Sequence, residues 1–212
     1  MNGGFYSFAK AVMRVFFALI YPLRMVGVEN LPKSGAAILC GNHMSLLDPL
    51  AAGQAVGRPV RFMGKKELFK VPVLNTLLRA LGAFPVDRGN TDITAVRTSL
   101  NILKEGGVLG IFPQGGRETG GYRGMETGVA LIALKSGAPV VPMRIMEKFR
   151  PFRRNTLIIG EPVDMSAYSI RDGSEALTRA TERIEAAITA LGAPGGEKPQ
   201  HDALSKRRKE PS

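Results

Sequence analysis

The sequence predicts a single α/β domain with a mostly parallel central sheet flanked by helices. Two observations indicate this fold class. The chain has 212 residues, 44% of them hydrophobic, which is enough for one domain with a substantial core and too short for two. Short apolar runs also alternate along the chain with helix-like stretches of 10–19 residues. This alternation is typical of parallel strands connected by helical crossovers.

The predicted strands are short apolar runs between segments of helical pattern. They cover residues 36–40, 60–64, 83–86, 108–112, 139–145 and 156–160. The predicted helices cover residues 47–56, 72–81, 91–104, 126–136 and 173–191. Ahead of them, residues 26–35 are expected to form a short strand and a turn, because Pro32 and Gly35 interrupt the chain there.

Residues 1–24 are predicted to form an amphipathic helix that lies in the plane of a membrane interface. The longest uncharged stretch has nine residues, far fewer than the roughly 20 that a spanning helix needs. Lys10 and Arg14 share one side of the helix, and bulky apolar residues occupy the other. The alternative is a helix packed on the core, but Phe17 and Tyr21 make the apolar side wider than such a contact requires. The apolar residues that recur at three- and four-residue steps are Phe5, Phe8, Val12, Phe16, Leu19 and Ile20.

The formal net charge is +11, which predicts an anionic partner such as a membrane surface, a phosphorylated small molecule or nucleic acid. No zinc-finger spacing or RNP-type aromatic motif is present, so nucleic acid is not expected. Residues 193–212 are rich in Pro, Gly and charge and are predicted to be a disordered basic tail. The lone cysteine, Cys40, lies in an apolar run and is expected to be a buried, inert thiol in a protein from a reducing compartment. One cysteine and two histidines also argue against a metal site.

The segment GNHMSLLD (41–48) places a histidine and an aspartate directly after a predicted strand. Open α/β sheets bind ligands at the carboxyl ends of their strands. A spacing of five suits a loop that leads into a helix, so that the Asp48 carboxylate reaches the His43 imidazole and fixes its tautomer. Since no serine-nucleophile motif is present, the pair favours direct deprotonation of a substrate hydroxyl. The alternative is that Asn42 or Ser45 caps the helix and His43 has no chemical role.

Two further loops carry residues that suit phosphate binding. In LGAFPVDRG (81–89), Arg88 follows Asp87 just after a predicted strand, and in VLGIFPQGGRETG (108–120) a Gly-rich loop leads to Arg117. Glycines allow the backbone to approach a phosphate, and arginine binds phosphate oxygens in pairs. Each loop alone is a weak signal.

Taken in order, the four segments NH-x4-D, G-x-F-x-V-D-R, F-P-x-G-x-R and V-V-P-M resemble the motifs of the glycerolipid acyltransferase family, to which the 1-acylglycerol-3-phosphate acyltransferases belong. The resemblance extends from about residue 25 to residue 165. It implies acyl transfer from acyl-CoA or acyl-carrier protein to the sn-2 hydroxyl of lysophosphatidic acid, without a cofactor or metal. It also implies a monotopic enzyme on the cytoplasmic face of the cell membrane.

The resemblance further assigns roles to residues of this chain. It implies that His43 is the general base and Asp48 its orienting partner. It implies that Arg88, and Arg117 in the Gly-rich loop, bind the acceptor phosphate, and Gly115 and Gly116 are expected to take part in this binding. Supporting roles are expected for Asn42, Asp87 and Gln114, and the acyl-donor region is expected at Val140, Val141 and Pro142.

The third motif departs from the usual family pattern, FPEGTR, because this chain has FPQGGR. Gln114 is a neutral amide where the family has a carboxylate, and Gly116 stands where it has a hydroxyl residue. A negative charge at this point is therefore not expected, and acceptor preference is left open. Glycerol 3-phosphate or another lysophospholipid is an alternative acceptor, and a non-catalytic basic module that binds membrane or nucleic acid is an alternative class.

Overall fold

The fold is a seven-stranded α/β sheet covered by helices, seen in a computed structural model that describes residues 3–87, 92–113 and 127–192. The strand order is β1-β7-β6-β2-β5-β3-β4, and every neighbouring pair is parallel except β6 and β7. The strands are β1 (Leu23–Val26), β2 (Ala37–Gly41), β3 (Val60–Lys65), β4 (Phe84–Val86), β5 (Val108–Ile111), β6 (Val140–Ile145) and β7 (Asn155–Ile159). The predicted fold class is confirmed.

The described helices include every helix predicted from the sequence, with bounds that shift by a few residues. They are α1 (Gly3–Ile20), α2 (Asp48–Ala55), α3 (Pro72–Ala80), α4 (Ile93–Lys104), α5 (Gly128–Ser136) and α6 (Gly173–Ala190). The start of α4 is set by Asp92, whose side chain accepts a hydrogen bond from the Ala95 N–H. The end of α5 is set by Gly137, which adopts a left-handed conformation with φ 66°.

The strand expected within residues 26–35 is wrong in position. The first strand is β1, which begins directly after Pro22, and residues Val28–Asn30 form a short 3-10 helix instead. Pro22 cannot continue α1, and the chain then forms the outermost strand of the sheet, which pairs with β7. Gly27 makes the turn between the two with φ 74°, and a Cβ there would lie 2.0 Å from the carbonyl oxygen of Ile159.

The core has two layers, one on each face of the sheet. Successive residues of β2 alternate between them: Ile38 and Cys40 belong to one layer, and Ala37 and Leu39 to the other. The first layer includes apolar residues of α4, α5 and α6, and the second includes Ala52 of α2. All five residues of β2 are buried, as expected for a strand covered on both faces.

Because β2, β3, β4, β5 and β6 run parallel through the sheet, their carboxyl ends lie along one edge. We call this the carboxyl edge. The antiparallel strand β7 begins at the same edge, and so does β1, which is parallel to β7. The loop after β6 therefore reaches the last turn of α1.

Candidate active site

His43 and Asp48 form a hydrogen-bonded pair at the carboxyl edge. His43 lies two residues beyond the end of β2, and Asp48 is the first residue of α2. The distance from His43 Nδ1 to Asp48 Oδ2 is 2.8 Å. The Asp48 side chain is fully buried, whereas the imidazole is 11% exposed. The turn predicted from the five-residue spacing therefore brings the two side chains together.

The loop backbone holds the Asp48 carboxylate in place. Asp48 Oδ2 also accepts hydrogen bonds from the N–H groups of Met44, at 2.6 Å, and Ser45, at 2.7 Å. One oxygen thus gathers three donors, and charge-assisted bonds of this kind are among the stronger ones in proteins. The ring of His43 is consequently aligned by a carboxylate that cannot swing away without breaking the loop.

Asn42 anchors the loop from the other side and does not cap α2. Its amide donates to the Ile145 carbonyl oxygen at 3.0 Å and accepts from the Ile145 N–H at 2.8 Å. These bonds tie the end of β2 to the end of β6. Ser45 Oγ accepts from the Leu47 N–H at 3.2 Å. The bond to Ile145 makes Asn42 a positioning residue for its neighbour His43.

Aromatic stacking on His43 is a feature that the sequence did not indicate. The ring of Phe112, just after β5, stacks on the imidazole with a centroid distance of 4.6 Å and an interplanar angle of 25°. Phe62 of β3 stacks on Phe112 in turn, at 5.7 Å and 12°. Gly110 makes room for this row, because a Cβ there would lie 2.2 Å from the Phe62 ring. A glycine inside an apolar strand was the available signal for such a close approach.

The four residues expected to line the Gly-rich loop, Gln114, Gly115, Gly116 and Arg117, lie outside the described residues, and so does Arg88. The strands that precede them are described. β5 pairs with β2, and Phe112, just after β5, stacks on His43. β4 lies three strand spacings from β2, roughly 14 Å along the sheet.

Asp87, at the end of β4, is engaged by a neighbouring cation. Its carboxylate accepts a hydrogen bond from Lys66 Nζ, and this bond raises the pKa of the Lys66 ammonium. The Asp87 N–H donates to Asp92 Oδ2 at 2.9 Å. Asp87 and Asp92, which flank the segment that contains Arg88, are therefore hydrogen-bonded to each other.

The expected acyl-donor residues are interior. Val140 and Val141 of β6 are fully buried, one in each core layer, and Pro142 is buried in register with Cys40. Their assignment to a donor channel stays a prediction. Burial raises the pKa of the Cys40 thiol far above its ordinary value, so this thiol is not a nucleophile at neutral pH. Among the described residues, no group of three or more His, Cys, Asp or Glu side chains is placed to hold a metal ion.

The fold and this site define an enzyme built on an α/β sheet, and comparison with known proteins identifies its class. The sequence model of the acyltransferase family matches residues 22–146. The chain belongs to the acyltransferase family and is an acyltransferase, as the motifs indicated.

Three similar proteins carry closely related names. The 1-acyl-sn-glycerol-3-phosphate acyltransferase of Bacillus subtilis is 30% identical over 88% of this chain and 96% of its own length. The protein of that name from Streptococcus pneumoniae is 33% identical over 70% of this chain and 54% of its own length. The crystal structure of the 1-acyl-sn-glycerophosphate acyltransferase from Thermotoga maritima superimposes with a TM-score of 0.66 at 29% identity, covering 89% of this chain and 77% of that one.

Proposed function

We propose that this acyltransferase moves a fatty acyl group from a thioester, acyl-CoA or acyl-carrier protein, to the sn-2 hydroxyl of lysophosphatidic acid. The product is phosphatidic acid, a precursor of phospholipids. The observation that carries the proposal is the 2.8 Å contact between His43 Nδ1 and Asp48 Oδ2 at the carboxyl edge, in a chain of this family. The names of the three similar proteins support the choice of acceptor.

In the proposed reaction His43 is first a base and then an acid. With Nδ1 hydrogen-bonded to Asp48, the other ring nitrogen, Nε2, takes the proton of the sn-2 hydroxyl while the hydroxyl oxygen attacks the thioester carbonyl carbon. The tetrahedral oxyanion collapses, the carbon–sulfur bond breaks, and the imidazolium returns the proton to the leaving sulfur. Asp48 stabilises the imidazolium between the two steps. No acyl-enzyme intermediate is required.

Phosphate recognition in this proposal belongs to the loops after β4 and β5. Arg88 and Arg117 bind the acceptor phosphate together with Gly115 and Gly116, and backbone N–H groups around Gly115 stabilise the oxyanion. Both loops begin at the carboxyl edge, where His43 lies. Gln114 offers an amide where the family has a carboxylate, so it contributes hydrogen bonds and no charge.

The proposed localisation of the enzyme is an anionic membrane surface on the cytoplasmic side, with α1 lying in the membrane interface. α1 is long and apolar enough to cross a membrane by length and composition alone, with a mean hydropathy of 1.3. However, its contacts favour an interfacial position. The Tyr6 hydroxyl accepts from the Val60 N–H, Lys10 Nζ donates to the Val56 carbonyl, and Phe17 is buried in the domain. A helix held against the domain near both ends and in the middle cannot cross a bilayer at the same time.

The outward side of α1 supports the same conclusion. Its large apolar side chains are exposed to between 37% and 68%, whereas Lys10 faces the domain. An apolar face turned to the outside suits the boundary between lipid headgroups and acyl chains. The exposed residues are Phe5, Phe8, Val12, Val15 and Leu19.

The test is a thioester-consumption assay with lysophosphatidic acid, comparing the wild type with His43→Ala. A general base typically contributes about 10²- to 10⁴-fold, so kcat of the variant should fall by at least about 10²-fold. Its circular dichroism spectrum should be unchanged, because the fold does not depend on the imidazole. The chain's other histidine provides the matched control, and His201→Ala should keep full activity. Normal turnover by His43→Ala would refute the proposed role.

A panel of acceptors tested with one acyl-CoA separates the alternatives. Preference for glycerol 3-phosphate or for another lysophospholipid would keep the chemistry and change the substrate. Binding to membrane or nucleic acid without turnover, indifferent to His43→Ala, would indicate a non-catalytic module. The buried His43–Asp48 pair favours the enzyme, because a binding module has no need of it.

A further inference from the structure

The loop between β6 and β7, residues 146–154, carries a dense group of cations, and we call it the arginine loop. Its sequence is MEKFRPFRR, in which Glu147 is the single acidic residue. The other charged residues are Lys148, Arg150, Arg153 and Arg154, all of them exposed. The loop is thus a strongly positive surface on the carboxyl edge, and the proposed reaction does not use it.

The arginine loop has a defined conformation. The buried side chain of Asn155 accepts a hydrogen bond from the Arg150 N–H at 2.8 Å. Its amide donates to the carbonyl oxygens of Arg150, at 3.2 Å, and Arg153, at 2.7 Å. One asparagine therefore closes the loop from inside, and the guanidinium groups are presented from a fixed backbone.

The loop is also fastened to the last turn of α1. The Phe152 N–H donates to the Ile20 carbonyl oxygen, one of the terminal carbonyls that a helix leaves unpaired, at 2.6 Å. The ring of Phe149 packs against Phe17, at 6.0 Å between centroids, and against Tyr21, at 6.2 Å. α1 and the arginine loop consequently form one continuous surface.

Phe152 is at the tip of this surface. Its side chain is 78% exposed, and its φ of 58° is the one positive value of a non-glycine residue within the described part of the chain. A bulky residue in this region of φ is strained, and such strain persists only where the surroundings impose it. The fold therefore holds a large aromatic ring out into solvent, and its backbone N–H is bonded to the last residue of α1.

The loop lines an open cavity of about 370 Å³ together with Asn155 and Thr156, and the charged residues of its lining are Glu147, Arg150, Arg153 and Arg154. Glu147 pairs with Arg150 at 3.6 Å, so the lining carries three arginines against one carboxylate, and this net positive charge suits the oxygens of a phosphate group. An aromatic ring next to phosphate-binding cations matches the interface of a bilayer, where acyl chains meet charged headgroups.

We propose that the arginine loop is a docking surface for an anionic phospholipid bilayer. Phe152 enters the interface next to α1, and the arginines bind lipid phosphates. The inference rests on the proposed function, because it assumes that the enzyme works on a membrane. It adds a second membrane contact beside the helix, and this contact holds the carboxyl edge close to the lipid.

Because the chain contains no tryptophan, a single introduced tryptophan can report how deeply residue 152 enters the bilayer. The variant Phe152→Trp carries a single fluorophore at the tip, and its emission should shift to shorter wavelength on vesicles of mixed phosphatidylglycerol and phosphatidylcholine. Brominated lipids in the same vesicles should quench it. The control is Ser34→Trp, an exposed position just before β2 at the opposite edge of the sheet, which should show neither effect. Equal responses at the two positions, or none at Phe152→Trp while the protein cosediments with the vesicles, would overturn the proposal.

A charge variant tests the arginines. A polybasic segment gains about 1 kcal/mol per cation near an anionic surface, so replacing Arg150, Arg153 and Arg154 with Gln should weaken vesicle binding on the order of 100-fold. The matched control replaces Arg171, Arg179 and Arg183 with Gln, three exposed arginines in or just before α6, and should change binding by only a few-fold.

Acyl transfer measured in detergent micelles separates the two proposals. If the loop variant keeps wild-type kcat in micelles and loses binding to anionic vesicles, the docking surface is supported. If it binds vesicles normally but has a raised KM for acyl-CoA or acyl-carrier protein, the loop serves the donor and the inference is wrong, while the proposed function stands. If the wild type binds vesicles through the loop but transfers no acyl group, the proposed function fails and the docking surface survives.

Discussion

The ring of Phe112 lies stacked on the imidazole of His43, with 4.6 Å between the ring centroids. Asp48 restrains the imidazole through a hydrogen bond at one ring nitrogen, and Phe112 restrains the plane of the ring. The two contacts come from different elements, since Phe112 follows β5 and Asp48 begins α2. In the proposed reaction His43 must meet a hydroxyl proton at a defined angle, and both restraints favour that alignment.

Replacing the stacked ring should therefore slow the chemical step. Aromatic pairs contribute about 0.5–1.5 kcal/mol beyond simple burial, so Phe112→Leu should lower kcat between about two- and ten-fold with little change in the KM for the acceptor. Phe112→Tyr keeps a six-membered ring and should remain close to wild type. Steady-state kinetics of the three proteins tests this, and a Leu variant with full kcat would show that stacking is irrelevant to catalysis.

Gly110 and Phe62 should prove coupled. A Cβ at residue 110 meets the Phe62 ring at 2.2 Å, so Gly110→Ala should cost about 1–3 kcal/mol of unfolding free energy through overpacking. The same change in a Phe62→Leu background should cost much less, because the smaller leucine side chain removes the ring atoms that a Cβ at residue 110 would meet. Urea unfolding of the four proteins completes a double-mutant cycle. Additive costs would argue against a clash with the ring.

Asp48→Asn should separate the orientation of His43 from its electrostatic support. The carboxylate uses Oδ2 for all three hydrogen bonds, and within the described residues Oδ1 is buried without a partner. An amide oxygen at the Oδ2 position keeps the ring in place, but the charge that stabilises the imidazolium is lost. We expect kcat to fall on the order of 10²-fold or more, with KM nearly unchanged. Asp172→Asn, an exposed change before α6, is the control. If kcat survives in Asp48→Asn, the carboxylate acts only by orienting the ring.

The alternating pattern of the sequence was sufficient to predict most of the fold. Strands such as β2 and β6 are covered on both faces, so they read as continuous apolar runs, and two of the helices between them, α3 and α4, have clear amphipathic stripes. The position of β1 was missed, because an edge strand of four residues gains its structure from pairing with β7, which lies more than a hundred residues later. Local patterns carry no information about such a distant partner.

The contacts of the candidate site also fall into two groups, those that are local in the sequence and those that depend on strand order. His43 and Asp48 are five residues apart, so their contact follows from the geometry of one turn. Phe112 reaches the imidazole only because β5 is the neighbour of β2, and Asn42 reaches Ile145 only because β6 is the neighbour on the other side. Contacts of this kind depend on strand order, which the residue pattern does not specify.

Asp92 should make stability depend on acid pH. Its carboxylate accepts hydrogen bonds from the N–H groups of Asp87 and Ala95, and these bonds lower the pKa of the Asp92 side chain. A lowered pKa in the folded state gives stability that is complete above the unfolded value, roughly 3.9, and is lost as the pH falls through the folded value. Asp92→Ala should cost about 1 kcal/mol at pH 7, the usual effect of removing a helix cap. Urea unfolding should show that the difference in unfolding free energy between wild type and Asp92→Ala becomes smaller below about pH 4. A difference that is independent of pH would mean that the charged form of Asp92 is not involved.

The reactivity of Cys40 tests whether the acyl group is transferred by way of a covalent acyl-cysteine. The thiol is fully buried three residues before His43, and burial raises its pKa, so the reactive thiolate is absent near neutral pH. Iodoacetamide should therefore leave the activity of the native enzyme intact and modify Cys40 only in denaturant. Cys40→Ala removes a small buried group, so it should lower stability modestly and keep kcat within about two-fold. Mass spectrometry of the native protein during turnover should find no acyl adduct. Rapid inactivation of the native enzyme by iodoacetamide would instead place a thiolate in the reaction path and require an acyl-cysteine step that this geometry does not support.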